Sequence, residues 1–456
     1  MSGNNKMIKD RFIIFGATGD LAYRKLLPAF YNMVYKGLLT EKDQIIVVGR
    51  RSLTTSDYID TIIPWIKSYA RFEFNDQKFL ELSKLVHYCR MDITISSDYD
   101  KLRQTLSNDQ ATNTIVYLAI APSLFKVATD GLAQIGQKQI KIVMEKPFGD
   151  TLEQAKRLNQ QLKLEFGEDR LYLIDHYLGK EMVRNILTIR CANPIFERLW
   201  NHEAIEKIEI SAMETVGVEN RAGYYDQTGA LKDMVQNHLL QILTIVALDD
   251  PANMDSFKDQ QLAILNALYY KGIDQQNMVL GQYESYQKEP EVKPGSNTET
   301  FAALKLYIDK ERWKNVPFII STAKKADHRS TEVKVTFKQK DDSLTKNVLV
   351  IKIQPEEGVE MHFNIKTPGK DNGIMDAKLD FCQSCSDTNR INTPEAYEWM
   401  LEAIAKGDQF WFSEWNQIQT SWILIDKMRQ EYHQKGLPIF RYPPASDMSE
   451  YLKELS

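Results

Sequence analysis

Residues 12–21 read FIIFGATGDL, and this stretch decides the fold of the first part of the chain. Its first four residues form a short apolar run that ends at a turn containing Gly16 and Gly19. Behind the turn, apolar residues recur at helical spacing between Leu26 and Val34, so the pattern predicts a strand, a glycine turn and a helix. Such a turn leaves N–H groups free at a helix start, where a pyrophosphate can bind. The motif is shorter than G-x-G-x-x-G and is weak evidence alone.

A second apolar run, residues 45–48, lies where a βαβ unit requires its second strand. It ends in Gly49-Arg50-Arg51, at a position where NAD-binding units usually carry an acidic residue. Two guanidinium groups would bind the 2′-phosphate of NADP through charge-assisted hydrogen bonds. We therefore expect NADP as the coenzyme, with NAD as a weaker alternative. The competing interpretation is a pair of arginines on a solvated loop.

Further apolar runs at residues 115–120, 140–144 and 171–174 alternate with helical patterns such as 152–166. This alternation predicts a parallel sheet, and ligands of such sheets bind beyond the carboxyl ends of the strands. Residues suited to binding follow five of the predicted strands: Gly16, Arg50, Pro122, Lys146 and Asp175. The sequence thus predicts a dinucleotide-binding domain over residues 1–175.

The second half of the chain has a different pattern. Alternating polarity, typical of antiparallel strands, occurs at residues 205–213, 332–338, 346–354 and 360–365. Helical patterns occupy residues 231–248, 260–269, 393–405 and 413–433. The mixture predicts an α+β domain over residues 176–456.

Composition favours an ordinary enzyme of two domains. The chain has 456 residues and a formal net charge of −5, without a long basic block that would attract nucleic acid. No apolar stretch approaches the roughly 18 residues of a membrane helix, and the N-terminus lacks the apolar core of a signal peptide. We expect a cytoplasmic protein that binds neither nucleic acid nor membrane.

The chain has four cysteines, and Cys382 and Cys385 form one C-x-x-C pair. A zinc site would need a second pair or suitably spaced histidines, and only His362 is near. Two ordinary thiols are favoured over metal or redox use, and no metal site is predicted.

Three motifs together resemble the glucose-6-phosphate dehydrogenase family: GATGDLA at residues 16–22, EKPFG at 145–149 and DHYLGKE at 175–181. The resemblance continues through segments at 193–196, 233–241, 316–318 and 354–355, and it covers residues 10–440. It implies a Rossmann-like N-terminal domain, a larger C-terminal domain with a broad, mostly antiparallel sheet, and homodimers or dimers of dimers.

The reaction implied by this resemblance is oxidation of glucose 6-phosphate at its anomeric carbon, which gives 6-phosphogluconolactone and NADPH and opens the pentose phosphate pathway. The implied general base is His238, because neutral imidazole accepts a proton near pH 7. The resemblance also implies that Asp175 pairs with His238 and fixes its tautomer. Read without the family, a lone histidine in an amphipathic helix is more often structural.

The resemblance also assigns binding residues. The implied substrate-binding set is Lys146, His176, Tyr177, Lys180, Glu214, Asp233 and Lys324. The implied coenzyme-binding set is Gly16, Thr18, Gly19, Asp20, Leu21, Lys25, Arg50 and Lys146. The cations and hydrogen-bond donors of the substrate-binding set suit a phosphate group. The carboxylates of the same set can accept hydrogen bonds from sugar hydroxyls.

Two local geometries follow from regular backbone. If residues 175 and 176 are extended, the side chains of Asp175 and His176 diverge. If residues 231–248 form an α-helix, Asp233 and His238 are separated by about 140° around its axis.

The sequence departs from the family at Lys232, where many relatives have arginine, and in the short tail at residues 442–446. Because of the tail, no additional structural NADP site is predicted. Two alternatives remain open: a dehydrogenase of another aldose or aldose phosphate, and a catalytically silent nucleotide-binding regulator. The retained pair Asp175 and His238 argues against the regulator, since a sensor needs no base.

Overall fold

The computed structural model describes residues 8–107, 111–136, 139–149, 151–341, 343–369, 373–453 and 455. The chain divides into two compact units, Met1–Gly179 with Pro394–Trp415, and Lys180–Thr393 with Asn416–Ser456. The sequence predicted one boundary, between residues 175 and 176. The structure differs because a C-terminal segment returns to the first unit.

The first unit contains a six-stranded sheet in the order β3-β2-β1-β4-β5-β6, and every neighbouring pair is parallel. Its strands are β1 (Ile8–Phe15), β2 (Gln44–Gly49), β3 (Val86–Arg90), β4 (Ala111–Leu118), β5 (Ile140–Met144) and β6 (Leu171–Leu173). The helices are α1 (Leu27–Tyr35), α2 (Thr55–Tyr69), α3 (Asp76–Leu85), α4 (Tyr99–Ser107), α5 (Phe125–Gln134) and α6 (Leu152–Phe166). The predicted parallel sheet is confirmed.

The apolar runs are continuous because both faces of the central strands are covered. Residues 12–15 of β1 and 45–48 of β2 are at most 1% exposed, as expected of parallel strands between helical layers. The five predicted binding positions all follow carboxyl ends, of β1, β2, β4, β5 and β6.

The helix Ala396–Lys406, called the returning helix below, explains the changed boundary. Its Met400, Leu401 and Ile404 are buried in the same core as α1. Its Glu398 accepts a hydrogen bond from Asn32 at 2.8 Å and pairs with Arg71 at 2.5 Å. Local periodicity predicts this helix but carries no information about the unit against which it packs.

The second unit contains a broad, mostly antiparallel sheet in the order β15-β14-β13-β12-β7-β11-β10-β9-β16, with β8 paired to β10. Only the pairs β7–β11 and β9–β16 of this described sheet are parallel. Its strands are β7 (Ile205–Met213), β8 (Leu268–Tyr269), β9 (Met278–Tyr283), β10 (Phe301–Ile308), β11 (Phe318–Ala323), β12 (Ser330–Phe337), β13 (Val348–Gln354), β14 (Gly358–Lys366), β15 (Ile374–Cys382) and β16 (Phe440–Tyr442). The predicted fold class is confirmed.

The α-helices of this part of the chain are α7 (Glu181–Ala192), α8 (Pro194–Leu199), α9 (Ala222–Ala230), α10 (Leu240–Ala247), α11 (Phe257–Ala267), α12 (Asp387–Asn392), α13 (Trp415–Gln434) and α14 (Ser449–Leu452). Between α9 and α10, residues Leu231–Leu239 form a π-helix. Among the described helices, none combines the length and apolar character needed to span a bilayer.

Cys382 and Cys385 are joined in a disulfide, with their Cα atoms 5.4 Å apart. The expectation of two ordinary thiols is therefore wrong for this pair. Cys382 ends β15, and the turn that follows brings Cys385 back within disulfide range.

Candidate active site

The glycine turn after β1 has no room for a side chain. Gly16 lies at φ +94°, and a Cβ atom there would be 2.1 Å from the carbonyl oxygen of Ala119. The N–H groups of Gly16 and Ala17 donate to the carbonyl of Val48 at 3.1 and 2.9 Å. Tyr58 donates to the carbonyl of Ala17 at 2.7 Å. The backbone is thus fixed in a tight curve at the sheet edge, where a ligand can approach closely.

Apart from Lys146, the remaining predicted coenzyme residues lie in this turn, in the helix that follows it or just after β2. Thr18, Gly19 and Leu21 are half-buried, whereas Asp20, Lys25 and Arg50 are exposed. Asp20 pairs with Arg24 at 2.7 Å, and the chain continues as a short π-helix, Ala22–Leu26. A glycine-lined curve with exposed cations beside it fits a dinucleotide that carries phosphate groups.

Lys146 and Asp175 form a buried ion pair at the ends of β5 and β6. The Lys146 Nζ atom is 2.7 Å from Asp175 Oδ2, and the two side chains are 9% and 0% exposed. The other carboxylate oxygen of Asp175 accepts the N–H of Tyr177 at 3.0 Å. Burial lowers the pKa of Lys146, while the Asp175 carboxylate opposes that shift.

Glu145 is a residue to which the sequence assigned no role. Its carboxyl group is buried, and burial raises its pKa to about 7. Tyr117, on β4, donates to Glu145 Oε1 at 2.5 Å, and Tyr397 of the returning helix forms a second side-chain hydrogen bond. The EKP motif signals Glu145, but Tyr397 lies more than 200 residues away and had no sequence signal.

His176 and Tyr177 lie in a turn. The expectation of extended backbone is wrong here, because residues 176–179 turn and the N–H of Leu178 donates to the carbonyl of Asp175 at 3.0 Å. The His176 ring lies 5.0 Å from the Tyr177 ring and 6.5 Å from the Tyr397 ring, between centroids. Tyr177 is buried, and His176 is half-buried.

In the second unit, Asp233 and His238 belong to the π-helix Leu231–Leu239. The α-helical expectation of about 140° between them is wrong, because i→i+5 bonding places residues five apart one turn apart. Both therefore lie near one face of the helix. His238 is 8% exposed, and Asp233 is 3.8 Å from Arg221.

The start of this π-helix is fixed by a buried acid. Glu299 accepts the N–H of Leu231 at 3.1 Å, and burial raises the pKa of its carboxyl group. Gly229, at φ +68°, makes room for Glu299, since a Cβ there would be 2.3 Å from Oε1. This arrangement fixes the start of the π-helix that carries Asp233 and His238.

Three more predicted substrate residues belong to the second unit. Glu214, just after β7, forms an ion pair with Lys324, just after β11. The Lys324 ammonium also lies 5.6 Å from the ring centroid of Tyr225, a cation–π distance. Lys180 donates a hydrogen bond to Gln354.

The predicted residues thus fall into two sets. The first unit assembles the glycine turn, Lys146, Asp175, His176 and Tyr177, while the second holds Lys180, Glu214, Asp233, His238 and Lys324. The pairing of Asp175 with His238 stays a prediction.

A Rossmann-like sheet with a glycine turn, and acid–base residues beside it, defines a dinucleotide-dependent oxidoreductase. Comparison with known proteins gives the family. The domain described as "Glucose-6-phosphate dehydrogenase, NAD binding domain" matches residues 13–185, and "Glucose-6-phosphate dehydrogenase, C-terminal domain" matches residues 187–456.

Relatives of similar length agree with these matches. The chain is 37% identical over 459 residues to glucose-6-phosphate 1-dehydrogenase of Bacillus subtilis, covering 94% of this chain and 92% of that protein. It is 36% identical to the Treponema pallidum enzyme of the same name, covering 98% and 93%.

A solved structure described as glucose-6-phosphate dehydrogenase in complex with its substrate glucose-6-phosphate is also similar. It has a TM-score of 0.89 and 29% identity, and the match covers 100% of this chain and 99% of that one. The chain belongs to the glucose-6-phosphate dehydrogenase family.

Proposed function

We propose that this protein oxidises glucose 6-phosphate at its anomeric carbon with NADP as coenzyme, giving 6-phosphogluconolactone and NADPH. The observation that carries the proposal is the buried ion pair of Lys146 and Asp175, which lies just beyond the carboxyl ends of β5 and β6. The chain that contains it belongs to this family. This is the first step of the oxidative pentose phosphate pathway.

His238 is proposed as the general base. It removes the proton of the anomeric hydroxyl group, and Asp175 holds the imidazole in the required tautomer and stabilises the imidazolium that forms. Lys146 and the N–H of Tyr177 each bind one oxygen of Asp175, so this carboxylate is held from two sides.

The sugar phosphate is proposed to bind a set of cations and donors: His176, Tyr177, Lys180 and Lys324. Glu214 and Asp233 are proposed to accept hydrogen bonds from the sugar hydroxyls. Lys324 pairs with Glu214, and this pair is proposed to open when the phosphate and the sugar hydroxyls take the place of the two partners.

The proposed coenzyme site is formed by the glycine turn, Thr18, Asp20, Leu21, Lys25, Arg50 and Lys146. Bound NADP supplies the acceptor for the hydride. Gly16 and Gly19 let the pyrophosphate reach the backbone N–H groups, and Arg50 reads the 2′-phosphate.

The test is formation of NADPH, followed at 340 nm, with glucose 6-phosphate or free glucose and with NADP or NAD. We expect the fastest reaction with glucose 6-phosphate and NADP. Equal rates with free glucose would favour a dehydrogenase of another aldose, and no reaction at any pH would favour the silent regulator.

We also propose a homodimer or a dimer of dimers. One face of β14 and β15 carries exposed apolar side chains: Ile365, Met375, Leu379 and Phe381, between 39% and 63% exposed. An apolar row on an edge strand commonly marks an interface. Light scattering should give at least twice the chain mass of 52.8 kDa, and Leu379→Glu should lower it.

A cytoplasmic location and small-molecule partners, without nucleic acid or membrane, complete the proposal. The formal net charge of −5 supports the exclusion of nucleic acid.

A further inference from the structure

Tyr397 contacts two residues of the first unit's site, Glu145 and His176, that lie far apart in the sequence. It belongs to the returning helix Ala396–Lys406, whose Met400, Leu401 and Ile404 are fixed in the core. This helix is therefore a rigid support, and its phenol reaches the ends of β5 and β6 through two contacts.

The first contact is with the carboxyl group of Glu145. Tyr397 and Tyr117 both hydrogen-bond to this buried group, which directly precedes Lys146 in the chain. The hydroxyl of Tyr397 is thereby tethered, and the position of its ring is set from both ends.

The second contact is with the imidazole of His176. The two rings are nearly parallel, with an interplanar angle of 12° and centroids 6.5 Å apart. Aromatic rings at such separations attract each other beyond the effect of burial alone. The backbone around His176 is a turn, so packing contributes to the choice of side-chain orientation.

We propose that Tyr397 is a positioning residue, whose tethered ring holds the imidazole of His176 in the orientation that receives the sugar phosphate. The inference rests on the proposed function, in which His176 binds the phosphate. It assigns to the returning helix a role in substrate binding as well as in stability.

Two substitutions separate the ring from the hydroxyl group. Tyr397→Leu removes the ring, and we expect KM for glucose 6-phosphate to rise about 3- to 10-fold, with kcat and KM for NADP within about 2-fold. Tyr397→Phe keeps the ring on the returning helix and loses only the tether to Glu145, so KM should stay within about 2-fold of the wild type.

Tyr117→Phe is the matched control. It removes the other phenol donor of Glu145 from β4 and should leave KM for glucose 6-phosphate unchanged. An unchanged KM in Tyr397→Leu would overturn the proposal. So would equal changes in every kinetic constant of Tyr397→Leu and Tyr117→Phe, since those would indicate a purely structural role.

Histidine NMR gives a readout that needs no turnover. The chain has seven histidines, and the signal of His176 can be assigned from its loss in His176→Gln. We expect its ring-proton shift to change in Tyr397→Leu and to change far less in Tyr397→Phe. Equal shifts in wild type and Tyr397→Leu would contradict the stacking itself, whereas an inactive wild type would contradict only the proposed function.

Discussion

Two lysine–carboxylate pairs lie among the predicted catalytic and substrate-binding residues, and they differ in burial. The side chains of Lys146 and Asp175 are 9% and 0% exposed, whereas those of Lys324 and Glu214 are 12% and 29% exposed. Removing one partner of a buried pair leaves an uncompensated charge, while a solvent-facing pair is worth little. The buried pair is therefore a fixed part of the framework, and the half-buried pair can exchange its partners for a ligand.

Asp175→Asn removes one partner of the buried pair and should have the largest effect of the variants that test this contrast. We expect the free energy of unfolding to fall by about 3–5 kcal/mol, because the Lys146 ammonium stays buried without its carboxylate. The rate should fall about 100-fold or more, because the orienting carboxylate of the proposed base is lost. Urea unfolding and kcat measure the two effects, and Asp100→Asn, on an exposed face of α4, is the control.

Glu145 adds a pH dependence to the buried region. Because its folded pKa of about 7 lies above the ordinary value of 4.5, the folded protein binds more protons than the unfolded chain between these values. Its contribution to stability is therefore present below pH 4.5 and is lost as pH rises toward 7.

Glu145→Gln removes this dependence. Relative to the wild type, the variant should gain about 3 kcal/mol in free energy of unfolding between pH 4.5 and 7.5. Melting temperatures across this range measure the effect, and Glu153→Gln, on exposed α6, is the control. A constant difference between Glu145→Gln and the wild type would refute a titrating Glu145.

Glu214→Gln tests the half-buried pair of Lys324 and Glu214. We expect stability to change by less than about 1 kcal/mol, because the pair is partly solvated. KM for glucose 6-phosphate should rise about 10-fold, since a charged acceptor for sugar hydroxyls is lost. If this variant were destabilised as strongly as Asp175→Asn, the contrast between the two pairs would disappear.

The last expected effect concerns coenzyme choice and leaves the reaction with NAD nearly unchanged. Arg50→Ala should raise KM for NADP about 10-fold and leave KM for NAD within about 2-fold, because only NADP carries the 2′-phosphate. Arg51→Ala serves as the comparison, because it removes the neighbouring guanidinium group and leaves Arg50 in place. If Arg50→Ala weakened the binding of NADP and NAD equally, the assignment of Arg50 to the 2′-phosphate would be wrong.

The sequence predicts the first sheet well because its signals are local. Residues 12–15 and 45–48 are continuous apolar runs, and Gly16 marks the turn, so the parallel sheet and the end at which its ligand binds follow from the alternation of strands and helices. The ends of β5 and β6 bring Lys146 and Asp175 together for the same reason.

The other features depend on long-range packing or on backbone that deviates from regular geometry. The periodicity of residues 393–405 predicts a helix, but only tertiary contacts of Glu398 and Leu401 decide that it joins the first unit. The sequence carries almost no signal for a π-helix. The angle of about 140° expected between Asp233 and His238 therefore assumes the wrong type of helix.

The central claim is that Asp175 and His238 act together on one proton. A double-mutant cycle with Asp175→Asn and His238→Asn tests it through kcat with glucose 6-phosphate and NADP. We expect each single variant to lose about 100-fold or more, and the double variant to be no slower than about 3-fold below the slower single variant. Losses that multiply in the double variant would show that the two residues act independently and would contradict the account.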